Sequence, residues 1–411
     1  MKPVNPSFFS GLFCALALIA GAAHGTNAEF QDFFFAVCEN PTGELAERCG
    51  ETQDALGDLS GNSEDSLNPN QTTSSNQSPL ANARSQIGRA QERVDRLNGE
   101  ETSQPAAEVS IGPFSLLIDG SFTNFDQDAG EFERGFDGDS WAIELGFDKR
   151  LSDKAVVGAF VGWDSSELDF DQDEAGRNFT PQQNSGVSES DTLSFTVFGA
   201  YDFSDAWYAE GSLGYSWSEH SFQRNVVFQE STRTIGQTDV IARGDPDGES
   251  YWASAGFGYR YVNGSWSATP YAGLNLIRAE IDGYQERDLN GSGLNMIVSD
   301  NTRDSLTSAL GLRLNKAVST NWGVLIPQLN VEYQHEFDED AQSSATAFVL
   351  DASQNTYIID GDGPDRDYFM AGAGLVAIFP NGWIGFMNYE GMFGYEDRSR
   401  HQFSLGIRRE M

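Results

Sequence analysis

From Gly112 to the end of the chain, apolar and polar residues alternate almost one for one. SLLIDGSFTN, SWAIELGFDKRL, AVVGAFVGW, TLSFTVFGAYDF, WYAEGSLGYSW, SYWASAGFGYRYV, WSATPYAGLNLI, SLTSALGLRLNKAV, GVLIPQLNVEYQHEF, DYFMAGAGLVAIF, WIGFMNYEGMFGY and HQFSLGIRREM carry this period in turn. Successive side chains of a strand point to opposite faces, so the pattern predicts twelve strands with one apolar face each. Their connections alternate in length. LSDKA, FSDAW, VNGSW, VSTNW and FPNGW are tight turns, while 168–190, 222–248, 282–303 and 337–364 are long acidic loops. Aromatic residues (Tyr201, Trp207, Trp266, Trp322, Phe379, Trp383) crowd the strand ends beside the short turns. Such asymmetry, an even strand count and an interfacial aromatic girdle predict an all-β fold, a twelve-stranded antiparallel transmembrane β-barrel. A soluble sandwich or propeller has shorter strands and more equal loops. A closed barrel needs its last strand to pair with its first. That explains why the chain ends in a one-sided strand, with Phe403, Leu405, Ile407 and Met411 set to face lipid and Arg409 able to snorkel to the headgroups.

Upstream the period changes. Residues 80–98, LANARSQIGRAQERVDRLN, have helical spacing. Arg89, Arg93 and Arg96 fall on one face; Leu80, Ala83, Ile87, Ala90, Val94 and Leu97 fall on the other. The stripe predicts either a helix set against an acidic barrel lumen, with Glu144, Glu210 and Glu332 as inward candidates, or a short coiled coil of under three heptads. Residues 99–111 are a polar linker. Before the helix, residues 29–79 begin with two runs of helical spacing: Phe30, Phe33, Phe34 and Val37, then Leu45, Cys49, Thr52 and Leu56, separated by a PTG break. This predicts a helical hairpin with Cys38 and Cys49 facing across it. The rest, GNSEDSLNPNQTTSSNQSP, reads as a disordered linker, and a wholly disordered remnant is the alternative for 29–79. The first 28 residues, with Lys2, an apolar run and small residues, read as a secretory signal cleaved after Gly25 or Ala28. Cys14 lies inside it without a lipoprotein pattern before it.

Composition narrows the partners. Acidic residues number 62 against 25 basic, a net charge of −37, so nucleic acid is excluded as a partner on electrostatic grounds. Glycine is abundant at 43 and only 39% of residues are hydrophobic, which suits many strands joined by polar turns. In an exported protein the two remaining cysteines read as a disulfide rather than half of a zinc site.

Several motifs in fixed order carry a resemblance. FGAYDFSDAWYAEGSLGYSW, PYAGLNLIRAEIDGYQE, LTSALGLRL, PQLNVEYQHEF and HQFSLGIRREM resemble the C-terminal translocator barrel of monomeric autotransporters. The resemblance implies an outer-membrane barrel of a Gram-negative bacterium, working as a monomer, with a helix left in the pore and the N-terminal segment exported. It also implies a partner in the barrel-insertion machinery beside outer-membrane lipid and lipopolysaccharide. Here the exported segment is very short. The family usually closes in Phe or Trp, and this chain closes in Met411. Members that cut themselves do so at an Asn-Asn pair in the pore helix; none occurs in 80–98, so no programmed cleavage is expected. The alternative function is a plugged outer-membrane pore, or a structural or adhesive protein without exported cargo.

Candidate chemistry is sparse, and no enzyme activity, cofactor or metal is expected. GDS at Gly138–Ser140 resembles the nucleophile motif of esterase passengers, but it opens a strand and no Asp-x-x-His precedes the barrel. DLNGSGLNMIVS, from Asp288, copies the start of a calcium loop but has Ser299 where the closing Glu belongs. The carboxylates of the long loops could bridge divalent cations to lipopolysaccharide phosphates.

Overall fold

The computed structural model describes residues 27–51, 59, 63–97, 106–111, 114–130, 132–175, 179–230, 236–338, 340–380 and 382–409. Twelve long strands form the barrel: β1 (Phe114–Gln127), β2 (Phe136–Ser152), β3 (Ala155–Phe170), β4 (Gly186–Asp202), β5 (Trp207–Gln229), β6 (Asp247–Tyr259), β7 (Trp266–Ile281), β8 (Asn301–Lys316), β9 (Gly323–Glu336), β10 (Asp367–Ile378), β11 (Trp383–Phe393) and β12 (Arg398–Arg409). Each pairs antiparallel with the next. The ring closes where β1 meets β12, from Phe122↔Phe403 to Gln127↔Arg398. Below that seam a short strand, Ala106–Ile111, turns back onto the first half of β1. No described helix is long and apolar enough to cross a membrane; the strands make the crossing.

The wall follows the period of two. On β2, Trp141, Ile143, Leu145 and Phe147 are each more than half exposed, while Ala142, Glu144 and Asp148 between them are buried. The outward residues form a band with aromatic edges. Tyr201, Trp207, Trp266, Trp322 and Trp383 stand near the short turns; Trp141, Trp163, Trp217 and Phe369 stand near the loops. Trp207 and Trp217 lie ten residues apart on β5, which for a tilted strand spans roughly 25 Å, the height of an outer-membrane hydrocarbon layer. Inside, rings lie flat where a neighbouring strand carries glycine. A Cβ at Gly214 would sit 2.0 Å from the Trp252 indole, so only glycine lets that ring lie against the wall.

The loop end departs from the sequence expectation. The segment 222–248 is not a loop: Phe222–Gln229 continues β5 and pairs with a returning strand, Gln237–Gly244. Four short strands from two other loops, Tyr284–Gln285, Met296–Val298, Ser343–Phe348 and Tyr357–Asp360, form a second small sheet. Acidic, Asn-rich composition hid this because the apolar residues that hold it (Val226, Phe228, Val240, Leu294, Met296) lie far apart in the chain and complete their cluster only with the N-terminal segment. Their partners arrive from the N-terminus. There α1 (Asn27–Val37), α2 (Gly43–Glu51), α3 (Ser63–Leu67) and a 3₁₀ turn (Asn70–Asn76) lead into the long helix α4 (Gln77–Leu97). The stretch 61–79, expected as a disordered linker, contains α3, the 3₁₀ turn and the start of α4. Its Ser63, Ser66, Asn68, Thr73 and Ser74 are buried; Ser63 and Ser66 bond to the β5 extension at the barrel mouth, while Asn68 donates to Asn27 and Thr73 to the Asn70 carbonyl, contacts that composition cannot reveal.

Candidate functional site

Helix α4 lies inside the barrel, and its two faces meet two kinds of wall. Leu80, Ala83 and Ile87 pack on Trp252 of β6 and Ile277 of β7. Ala90 and Val94 pack on Leu117 of β1, Phe160 of β3 and Phe198 of β4. The other face is bound by charge. Arg89 Nη1 stands 2.6 Å from Glu144 Oε1 of β2, and its Nη2 donates to Ser121 Oγ at 2.6 Å. Arg93 meets Asp148 of the same strand, Nη2 at 2.5 Å and Nε at 2.7 Å from Oδ2. Gln86 donates to Glu144 and accepts from Thr196 Oγ1 at 3.0 Å. On the opposite wall Arg313 of β8 pairs with Asp95 of the helix, with its guanidinium 4.1 Å over the Tyr271 ring. Charged groups buried in this way hold only when paired and hydrogen-bonded.

These partners also fix the direction of the helix. Gln77 accepts from Arg398 Nη1 at 3.0 Å, at the loop end of β12. Arg84 reaches Ser305 Oγ at 3.3 Å and Glu336 Oε2 at 3.5 Å, near the loop ends of β8 and β9. Arg93 meets Asp148, four residues from the short turn after β2. The helix thus starts among the long loops and ends among the short turns, where β1 begins. A cavity of about 210 Å³ remains beside it, lined by Arg84, Tyr271, Glu332, Tyr368, Glu390 and Arg400 among others.

Outside the lumen, the N-terminal segment covers the mouth. Phe30, Phe33, Phe34 and Val37 of α1, Leu45 of α2, Leu59 and Leu67 join Val226, Phe228, Val240, Leu294, Met296, Phe348, Tyr357 and Ile359 in one apolar cluster. Phe33 stacks between Phe348 and Tyr357, with ring centroids 5.9 and 5.2 Å away. Two buried arginines bolt the cap down. Arg224 forms a forked pair with Glu286 (2.9 and 2.7 Å) and donates to the Leu67 and Leu294 carbonyls. Arg134 pairs with Asp173 and donates to Asn70 Oδ1 at 3.1 Å and to the Asp65 carbonyl at 2.8 Å. The hydroxyls of Ser66 and Ser63 accept from the Val227 and Gln229 amides at 2.7 and 2.9 Å.

The sequence-selected residues fall as follows. Arg89 and Arg93 make the wall contacts just given. Arg96 lies in a small hollow with Asp119 and Glu144. Glu332 accepts from Tyr271 Oη at 2.7 Å, and Glu210 is half-buried on β5. Cys38 and Cys49 form a disulfide between α1 and α2, with Cα atoms 5.3 Å apart. Phe403 and Leu405 are exposed on the outer face of β12; the Ile407 side chain and all of Met411 lie outside the described residues, as does the signal region except Asn27 and Ala28 at the start of α1. Sequence reasoning missed Arg134, Arg224 and Asp95. Nothing local marks them, since each is defined by partners far away in the chain. Asp288 holds its own turn: its carboxylate accepts from the Asn290, Gly291, Ser292 and Gly293 amides and the Ser292 hydroxyl. Burial works to raise its pKa, but these donors outweigh it and hold the carboxyl below its usual value. Among the described residues no group of His, Cys, Asp and Glu is arranged to hold a metal ion.

Comparison with known proteins follows the same outline. Residues 117–390 match the family model described as the autotransporter beta-domain. Two curated relatives are similar in sequence. The "Uncharacterized protein in trpE-trpG intergenic region" of Pseudomonas putida is 25% identical over 162 residues, 39% of this chain and 25% of that protein. Esterase EstA of Pseudomonas aeruginosa is 22% identical over 259 residues, 62% of this chain and 36% of the esterase. The chain thus spans about a quarter to a third of the length of these relatives. Among solved structures, the translocator domain of autotransporter NalP from Neisseria meningitidis superposes with a TM-score of 0.57 at 19% identity, covering 82% of this chain and 98% of that domain.

Proposed function

The chain belongs to the autotransporter beta-domain family and is an outer-membrane barrel of the translocator type, and from that premise we propose that it displays its own N-terminal segment outside the cell as a folded cap. One observation carries this reading: α4 starts at the loop end of the lumen and ends at the short-turn end. A chain that occupies the pore in that direction has everything before α4 on the loop side, and long loops are the outer side of such barrels. The cargo is therefore the segment before residue 77, and it stays attached. Its apolar cluster with the loops and the Arg224 and Arg134 links support retention rather than release.

The parts of this reading are distinct. Residues 1–28 address the chain to the export route and are removed. Residues 29–76 form the displayed cap, α4 fills the pore, and residues from 112 form the barrel. Partners are outer-membrane lipid, lipopolysaccharide at the loop level and the insertion machinery, with one copy of the chain per barrel. Catalysis has no place in the proposal. The GDS motif is part of β2, where Ser140 stands in register with Thr123 of β1 and Ser166 of β3; the activity in the esterase relative's name belongs to that protein.

An epitope inserted near residue 60 tests the display. Antibody should label intact cells expressing the full chain. Labelling only after the outer membrane is permeabilised would overturn the proposal and leave a plugged pore with a periplasmic N-terminus.

A further inference from the structure

Beneath the cap, at the loop end of the lumen, three arginines converge from three elements: Arg84 of α4, Arg303 of β8 and Arg398 of β12. Arg84 and Arg398 both act electrostatically on Arg303, as do the Glu133 carboxylate and the Tyr395 phenol. Two of the guanidinium groups are engaged. Arg398 donates to Gln127 Oε1 (2.6 Å), Gln77 Oε1 (3.0 Å) and Glu133 Oε2 (3.1 Å), and lies over the Tyr395 ring. Arg84 meets Glu336 at 3.5 Å and Ser305 at 3.3 Å, although its Nε is buried without an acceptor among the described residues. Arg303 is different. It is 6% exposed, and its Nη1 is buried with no acceptor among the described residues. Among the described residues no carboxylate forms an ion pair with it.

The charge count is unbalanced. Among the described residues, three guanidinium groups stand against two carboxylates, Glu133 and Glu336, each already shared with another donor: Gln127 on Glu133, Ser305 on Glu336. Arginine cannot shed its proton, and a buried, uncompensated charge costs several kcal/mol. Lysine or histidine in this place could neutralise itself; arginine cannot. Arg84 and Arg398, though not Arg303 itself, line the lumen cavity of about 210 Å³, which gives an anion room beside the cluster.

We propose that Arg303, with Arg84 and Arg398, forms a binding site for a small oxyanion, carboxylate or phosphate in type, held between the pore helix and the cap. Planar forks suit such oxygens, and the bound charge completes the balance of the cluster. The anion ties α4 to the wall at β8 and β12, nearer the loop end than the Arg89 and Arg93 contacts. The proposal concerns the assembled barrel and does not depend on how the N-terminal segment reached its place.

Thermal unfolding of the full chain in detergent, followed by the heat-modifiable gel shift, tests it. Chloride is replaced by inorganic phosphate or by acetate at constant ionic strength. The expected result is a saturable rise in the midpoint, on the order of 2–4 °C at millimolar anion, in phosphate if the site takes tetrahedral anions and in acetate if it takes carboxylates. Arg303→Met should abolish the rise, with a midpoint in chloride at or above that of the unaltered chain. Arg303→Lys should keep a weaker rise. No saturable difference between the anions in the unaltered chain would overturn the proposal, whatever the variants do. So would an equal rise in Arg303→Met, which would assign the effect to general exclusion of salt from the protein surface.

Discussion

Arg93 and Asp148 are each under 4% exposed, so their pairing has almost no help from water. Replacing Arg93 by Met would take this guanidinium from a buried carboxylate, at a cost of up to about 3–5 kcal/mol. The barrel should then unfold at a lower temperature on a heat-modifiability gel. Arg93→Met combined with Asp148→Leu should recover most of the loss, since two apolar groups need no pairing. If the double variant is as weak as the single one, the pair is not what holds the helix there. This part of the site was legible in the sequence: three arginines at helical spacing before a barrel admit few other surfaces. Asp95 was not legible. It sits on the same helix, and its value depends on Arg313, more than two hundred residues away.

The helix as a whole is held on both faces, and that makes its removal readable. A helix about 10–12 Å across fills much of a twelve-stranded lumen. Deleting Gln77–Leu97 should raise single-channel conductance severalfold in planar bilayers, and unchanged conductance would mean that α4 does not obstruct ions. Barrel strands were legible because their period of two runs uninterrupted through the membrane layer. Ends were less so. The β5 extension to Gln229 and the small loop sheet lack a continuous apolar face of their own, and α3 with the 3₁₀ turn is polar apart from Leu67. Such residues form structure only when a partner surface takes up their hydrogen bonds. Here that surface is the barrel mouth.

At the scale of the molecule the cap has its own apolar cluster, apart from the two that α4 makes with the lumen wall. They should respond separately. The Cys38–Cys49 link closes a short loop in a unit with little core of its own, so replacing both cysteines by Ser should remove about 2–4 kcal/mol from the cap. Hydrogen exchange should rise across α1 and the Met296–Val298 strand, while the gel shift of the barrel stays where it was. A barrel that unfolds earlier by the same margin would show that cap and barrel are one cooperative unit.

The direction of α4 has a mechanical consequence. A chain running through a ring, with a folded and cross-linked unit at one end and the ring's own wall at the other, is a stoppered thread. It cannot slide back through a lumen that already holds one helix unless the stopper first comes apart. Fifteen buried apolar residues then act as a pawl. On the proposed export of this segment, each stretch that folds on the far side is lost to backward diffusion, so folding itself can rectify the motion of the chain.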